Sequence, residues 1–225
     1  MSRIDFLKAR GRRFAVAGRC LAALGFAAAI LSHAAATAPA QAFPQRALPV
    51  MNAAILSSGH AGPTPAWLAF CKQMPEECAL ERSEPTVITL DQDIWKLVTE
   101  VNERVNGMIL PVTDQDHWGV ADRWDYPDDG LGDCEDIQLL KRRILIEAGL
   151  PRRALRMTVV IDELGAGHAV LMVRTDRGDY ILDNKRSAVL SWQETGYRYV
   201  KREGSESAAW VWLGNQAAPI VTATK

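Results

Sequence analysis

The sequence predicts an α+β fold in which helices precede an antiparallel sheet. Apolar residues recur at helical spacing before residue 151, and beyond it the period changes to two. A hydrophobic fraction of 48% against 24% charged residues leaves enough apolar material for a core and excludes a disordered or collagen-like chain.

The elements follow in order. Residues 3–19 are basic, Cys20 to Leu31 form a 12-residue apolar run, and Ala40-Gln41-Ala42 fits the small-x-small pattern before a cleavage site. Residues 1–42 are therefore expected to be a cleavable signal peptide, and the mature protein to be periplasmic. The apolar run falls short of the ~18 residues that a membrane span needs. Residues 1–42 hold six basic groups and one acidic group, so the rest carries 20 basic against 26 acidic side chains. A mildly acidic body offers no electrostatic footprint for nucleic acid, and no nucleic-acid partner is expected.

Residues 43–66, with Pro44, Pro49, Pro63 and Pro65, are expected to be an irregular lead-in. Residues 67–225 are expected to form one domain, acting as a monomer. Cys71 and Cys78 lie seven residues apart, a spacing that allows a local disulfide. Ile94, Leu97, Val98, Val101 and Val105 predict a helix over 91–107, capped by Asp91 or Asp93. Residues 111–132 read as an acidic solvated loop containing Asp114, Asp116, Asp122, Asp125, Asp128 and Asp129. A second helix is expected over 134–148, with Asp133 as its N-cap and Ile137, Leu140, Ile144 and Ala148 as its buried stripe. Candidate strands are 155–161, 168–175, 179–182, 197–202 and 210–213, with Arg177-Gly178 as a hairpin turn.

Signal cleavage would remove Cys20, and a Cys71–Cys78 bridge would leave Cys134 as the odd thiol in an oxidising compartment. A cysteine at a helix N-terminus gains thiolate character from the peptide dipoles, which suits a nucleophile. Asp133, Glu135 and Asp136 oppose this and call for a neutralising group. His168 opens an apolar strand and Asp183 closes the next one. A hairpin through Arg177-Gly178 would let the carboxylate hold one imidazole nitrogen while the other faces Cys134. Zinc ligation by His117, His168 and Cys134 lacks any short-range ligand pair.

The segments GDCEDIQLLK, GHAVLMV and DYILDN, at residues 132–141, 167–173 and 179–184, resemble the bacterial transglutaminase-like cysteine peptidase family. Trp95, Val101-Asn102, Val105-Asn106, Asp116, Trp118-Gly119, Asp122, Trp124 and the FCKQMPEEC segment extend the resemblance over residues 67–203. It implies a papain-like, transglutaminase-like core with Cys134 as nucleophile, His168 as general base and Asp183 as orienting carboxylate. It also implies calcium (Ca2+) beside the cysteine, held by Asp133 and Glu135 with Asp136 as a further candidate. In one branch of the family such a protease clips a large cell-surface adhesin in biofilm release, and an inner-membrane cyclic di-GMP receptor sequesters it. Trp118 or Trp124 would line the substrate groove or join the Cys134 N–H in an oxyanion hole. Two rivals share the residues: acyl transfer to an amine, tested with a glutamine donor and a labelled amine, and a non-catalytic binding module, tested by an alkylating probe of Cys134.

Overall fold

The computed structural model describes residues 47–207 and 210–214, and the expected signal peptide over 1–42 lies outside them. In chain order the elements are strand β1 (Ser57–Ala61), helix α1 (Pro65–Gln73), the single turn α2 (Pro75–Cys78), helix α3 (Gln92–Met108), strand β2 (Leu110–Pro111) and short helix α4 (Asp114–Trp118). Then come β3 (Leu131–Gly132), helix α5 (Cys134–Glu147), β4 (Leu155–Ile161), β5 (Gly167–Thr175), β6 (Gly178–Asp183), β7 (Arg186–Ser191), β8 (Arg198–Glu203) and β9 (Trp210–Leu213). Among the described residues no helix is long and apolar enough to cross a membrane.

Seven strands form one antiparallel sheet in the order β1-β9-β8-β4-β5-β6-β7. The central strand β4 is buried at every position, Arg156 and Thr158 included. Helices α3 and α5 pack together and against β5, β6 and β7. Trp95, Val98, Val101 and Val105 of α3 meet Ile137, Leu139 and Leu145 of α5 in the main core. The other sheet face carries a smaller cluster around Val160, Val170, Met172, Ile181, Tyr197 and Tyr199.

Several elements differ from expectation. The lead-in is not irregular throughout, because β1 pairs with β9 at the sheet edge. Strand β7 has no counterpart in the sequence reading; as the opposite edge strand it is half exposed, and its alternation is weak. The expected buried stripe of α5 is displaced. Ala148 is exposed and Leu140 and Ile144 are only half-buried, whereas Lys141 and Arg142 are fully buried. Apolar periodicity missed this because the helix is enclosed on several sides and its charged groups are paired.

Cys71 and Cys78 form a disulfide with a Cα–Cα distance of 5.6 Å, tying α2 to α1. The neighbouring Glu77 accepts from Arg152 at 2.8 Å. Deeper in the core, Glu203 joins three elements. Arg142 and Arg156 each lie 3.0 Å from its Oε2, the Met157 N–H donates to the same oxygen, and the Trp67 indole donates to Oε1 at 2.8 Å. Burial pushes the Glu203 carboxyl up, but the two guanidinium charges outweigh it and hold it down at about 2. Replacing Glu203 by Gln strands two buried guanidinium groups. Denaturant unfolding is expected to show a loss of about 3–5 kcal/mol; a change of only a few tenths would show that the pairing contributes no net stability.

Candidate active site

Helix α5 starts at Cys134 because Gly132 lets the chain turn tightly against the first helical turn. A Cβ at Gly132 would lie 2.9 Å from the Cβ of Asp136 and 3.1 Å from that of Pro127. Asp133 occupies the N-cap position, but its side chain makes no capping hydrogen bond. The expected capping role is thus corrected: the carboxylate turns into a cluster described below.

The pairing of β5 with β6 runs from Thr175–Gly178 to Leu171–Leu182 and stops there. Asp183 lies one step beyond that last rung and His168 three steps before it. Both are odd steps, so alternation puts both side chains on one sheet face. His168 Nε2 donates to Asp183 Oδ1 at 2.8 Å, a carboxylate being able only to accept. With the ladder ended, the Ala169 N–H donates to Cys134 Sγ at 3.4 Å instead of to a neighbouring strand. The His168–Asp183 pair thereby forms at the strand ends, and the Cys134 thiol lies against the backbone one residue from the imidazole, all three side chains buried.

Asp183 is fixed at further points. Tyr197 donates to its Oδ2 at 2.6 Å and the Lys185 N–H to its Oδ1 at 3.0 Å. Its own N–H donates to Asn102 Oδ1 at 3.2 Å, and Asn106 Nδ2 donates to its carbonyl at 2.8 Å. Asn102 Oδ1 also accepts from the buried Lys141 ammonium at 2.9 Å. Burial drives the Asp183 carboxyl up, but the His168 hydrogen bond and charge and the Tyr197 hydroxyl overcome it and hold it at about 2. Burial lowers Lys141 to about 7, opposed by the Asp183 charge. Asn102 and Asn106 stand out in the sequence without a role to give them. Tyr197 has no sequence signal at all, because its partner is 14 residues away and non-local contacts leave no spacing pattern.

The Cys134 thiol does not behave as its helix position alone would suggest. Its Sγ–H donates to Glu135 Oε2 at 3.0 Å. Burial first, and then the Glu135 and Asp133 charges, push its pKa well above the ordinary thiol value. A positive charge close by would oppose this shift.

Five carboxylates converge there. Oxygens of Asp114, Asp122 and Glu135 lie within 4.8 Å of one another, as do those of Asp114, Asp133 and Asp136, and Asp133 and Glu135 close on the Cys134 sulfur in the same way. Asp114 and Asp122 overturn the solvated-loop expectation. Asp114 is buried on α4 and Asp122 half-buried beyond it. The sequence order hid them, since the loop that carries them folds back over α5. Burial raises Asp133 to about 7 and Asp136 to about 8, and it raises Glu135 well above its usual range. Buried Asp133 Oδ1, Glu135 Oε1 and Asp122 Oδ1 have no hydrogen-bond partner. Asp136 is partly committed, accepting the Asp125 N–H at 2.8 Å. Clustered, desolvated and orphaned carboxylate oxygens fit a hard divalent cation. Asp116, by contrast, accepts from Thr113, and His117 pairs with Asp129 at 2.9 Å, outside the cluster.

Trp124 is buried edge-on against Trp210, whereas Trp118 is 42% exposed, with the Arg123 guanidinium 4.3 Å above its ring. Of the two candidate groove residues, Trp118 is the one that faces solvent.

The family model described as bacterial transglutaminase-like cysteine proteinase matches residues 58–218. Among solved structures, calcium-bound LapG of Legionella pneumophila is 23% identical, covering 68% of this chain and 81% of that one with a TM-score of 0.47. A second structure of Legionella pneumophila LapG is 24% identical, covering 68% and 80% with a TM-score of 0.46, and an EGTA-treated one is 24% identical, covering 67% and 76% with a TM-score of 0.46. A search of curated proteins finds no match.

The raised carboxyl groups set a pH dependence. A carboxyl whose folded pKa exceeds its unfolded value stabilises the fold below the unfolded pKa, and that stability is lost as pH rises through the folded pKa. For Asp133 and Asp136 the loss spans about pH 4 to the folded values of about 7 and about 8. Thermal unfolding in excess chelator is expected to shift to lower temperature across this window, and less so in Asp133→Asn. A melting temperature that stays level or rises would contradict the cluster.

Proposed function

The chain belongs to the bacterial transglutaminase-like cysteine proteinase family and is a cysteine peptidase, and we propose that Cys134 is its nucleophile, His168 its general base and Asp183 the carboxylate that orients the imidazole. The observation that carries this assignment is the 2.8 Å His168–Asp183 contact beside the buried Cys134 thiol, whose sulfur accepts from the very next backbone N–H, that of Ala169.

The chemistry follows from which atoms are occupied. With Nε2 committed to Asp183, Nδ1 is the nitrogen left to exchange the proton of the thiol. Cys134 sulfur attacks the peptide carbonyl and forms a tetrahedral intermediate, whose oxyanion is stabilised by the Cys134 N–H at the start of α5. The His168 imidazolium protonates the leaving amine, leaving a thioester. The neutral imidazole then takes a proton from water, which attacks the thioester and frees the acid. Throughout, the ionised Asp183 stabilises the imidazolium without itself accepting the proton.

Calcium is the cation proposed for the carboxylate cluster, with Asp133, Glu135 and Asp136 as its ligands and Asp114 and Asp122 completing the set. Bound there, it would supply the positive charge that offsets the carboxylates next to the thiol. The proposed substrate is a protein exposed to the periplasm, with a large surface adhesin as the leading case and an inner-membrane cyclic di-GMP receptor as a sequestering partner. The family resemblance and the amino-terminal export pattern support this setting.

Cys134→Ala is expected to abolish cleavage with an unchanged circular dichroism spectrum; retained cleavage would remove the assignment. Surface proteomics of cells carrying native or Cys134→Ala protein should show one large protein retained only by the variant, and identical surfaces would remove the adhesin proposal. Calcium should raise the melting temperature, more strongly near pH 8 than near pH 5, because the raised carboxyl groups of Asp133 and Asp136 must lose protons to bind it. An equal or opposite shift would remove the calcium proposal.

A further inference from the structure

Three parts of the molecule stand outside the proposed reaction. One is a cavity of about 710 Å³ lined by residues 53–58, Trp192, Tyr197 and Tyr199. Another is the buried Lys141–Asn102 contact, and the third is the Tyr197 hydroxyl. Of these, the hydroxyl donates directly to the carboxylate that holds the His168 ring.

We propose that Tyr197 is a positioning residue of the peptidase, acting through Asp183 to set the orientation of the His168 ring. This rests on the reading of Cys134, His168 and Asp183 given above. Asp183 presents two oxygens, and each has its own task. Oδ1 receives His168 Nε2 and the Lys185 N–H, while Oδ2 receives the Tyr197 hydroxyl at 2.6 Å. With both oxygens engaged, rotation of the carboxylate breaks a contact on either side. The phenol is fixed in turn. Tyr197 is buried, its N–H donates to Thr195 Oγ1, and the Arg186 guanidinium lies 5.3 Å from its ring centroid. Its ring also stands edge-on to the His168 ring, with centroids 5.9 Å apart and planes at 84°. One side chain therefore limits both the carboxylate and the imidazole: the hydroxyl stops the first from turning and the ring edge stops the second from tilting. Burial first, and then the Asp183 hydrogen bond and charge, raise the phenol pKa, which keeps the hydroxyl a donor to that carboxylate at neutral pH.

The hydroxyl and the ring separate experimentally. Tyr197→Phe keeps the ring edge and removes only the donor. The probe is iodoacetamide, with the rate of Cys134 alkylation at neutral pH in the presence of calcium as one readout and the downfield N–H proton resonance of the His168 ring as the second. Tyr197→Phe is expected to slow alkylation about tenfold and to shift or broaden the imidazole resonance, at an unchanged far-ultraviolet spectrum. In an Asp183→Asn background the same change should slow alkylation no further, because the hydroxyl acts through that carboxylate. Native alkylation with a native resonance in Tyr197→Phe would overturn the proposal, as would equal slowing in both backgrounds. The two readings fail separately: cleavage by Cys134→Ala sinks the assignment of the nucleophile, whereas the imidazole resonance reports on Tyr197 whether or not Cys134 is the reacting group.

Discussion

Asp183 is a carboxylate kept charged inside the protein, and the rest of the site is arranged around that constraint. A buried carboxylate without partners takes up a proton and loses its use as an anion. Here burial is outweighed by the imidazole, a phenol and a backbone N–H, so the group stays ionised at about 2. The partners come from β5, from the Tyr197 position just before β8 and from the turn after β6. Asparagines on α3 hold its main chain. The sheet order that brings β5 beside β6 and the packing of α3 on their flank are thus the conditions for one charge.

Opposite in sign and purpose is the cluster on the far side of the thiol. Asp183 is a buried acid held down by cations and donors. Asp133, Glu135 and Asp136 are buried acids pushed up first by burial and then by the charges of neighbouring carboxylates. The same helix N-terminus that should favour a thiolate is therefore overruled by its neighbours. Burial and the Glu135 and Asp133 charges raise the Cys134 thiol pKa well above the ordinary value. The carboxylate cluster and the Cys134 thiol are thus electrostatically coupled.

Local signals made most of the fold legible in the sequence. The 3.6-residue period of α3 with its Asp91 cap and the period-two strands from Leu155 onward correspond to the elements found. So do the paired cysteines of the α1–α2 segment. Cys134, His168 and Asp183 were also legible, because each sits at the end of a regular element, where position speaks of exposure to a neighbour. Edge strands β1 and β7 were not, since β1 is almost wholly exposed and β7 half-exposed, and such strands lack a clean alternation. Asp114, Asp122, Tyr197 and Lys141 were not either. Each takes its meaning from a contact across the fold, and nothing in the adjacent residues encodes it.

In the proposed reaction the Cys134 sulfur is the atom that reacts, under the control of His168. A peptidyl chloromethyl ketone, followed by peptide mapping in a mass spectrometer, tests this directly. The expected result is a single adduct on Cys134 in the native protein and none in His168→Ala on the same timescale. Label on another residue, or equal labelling without the imidazole, would contradict it.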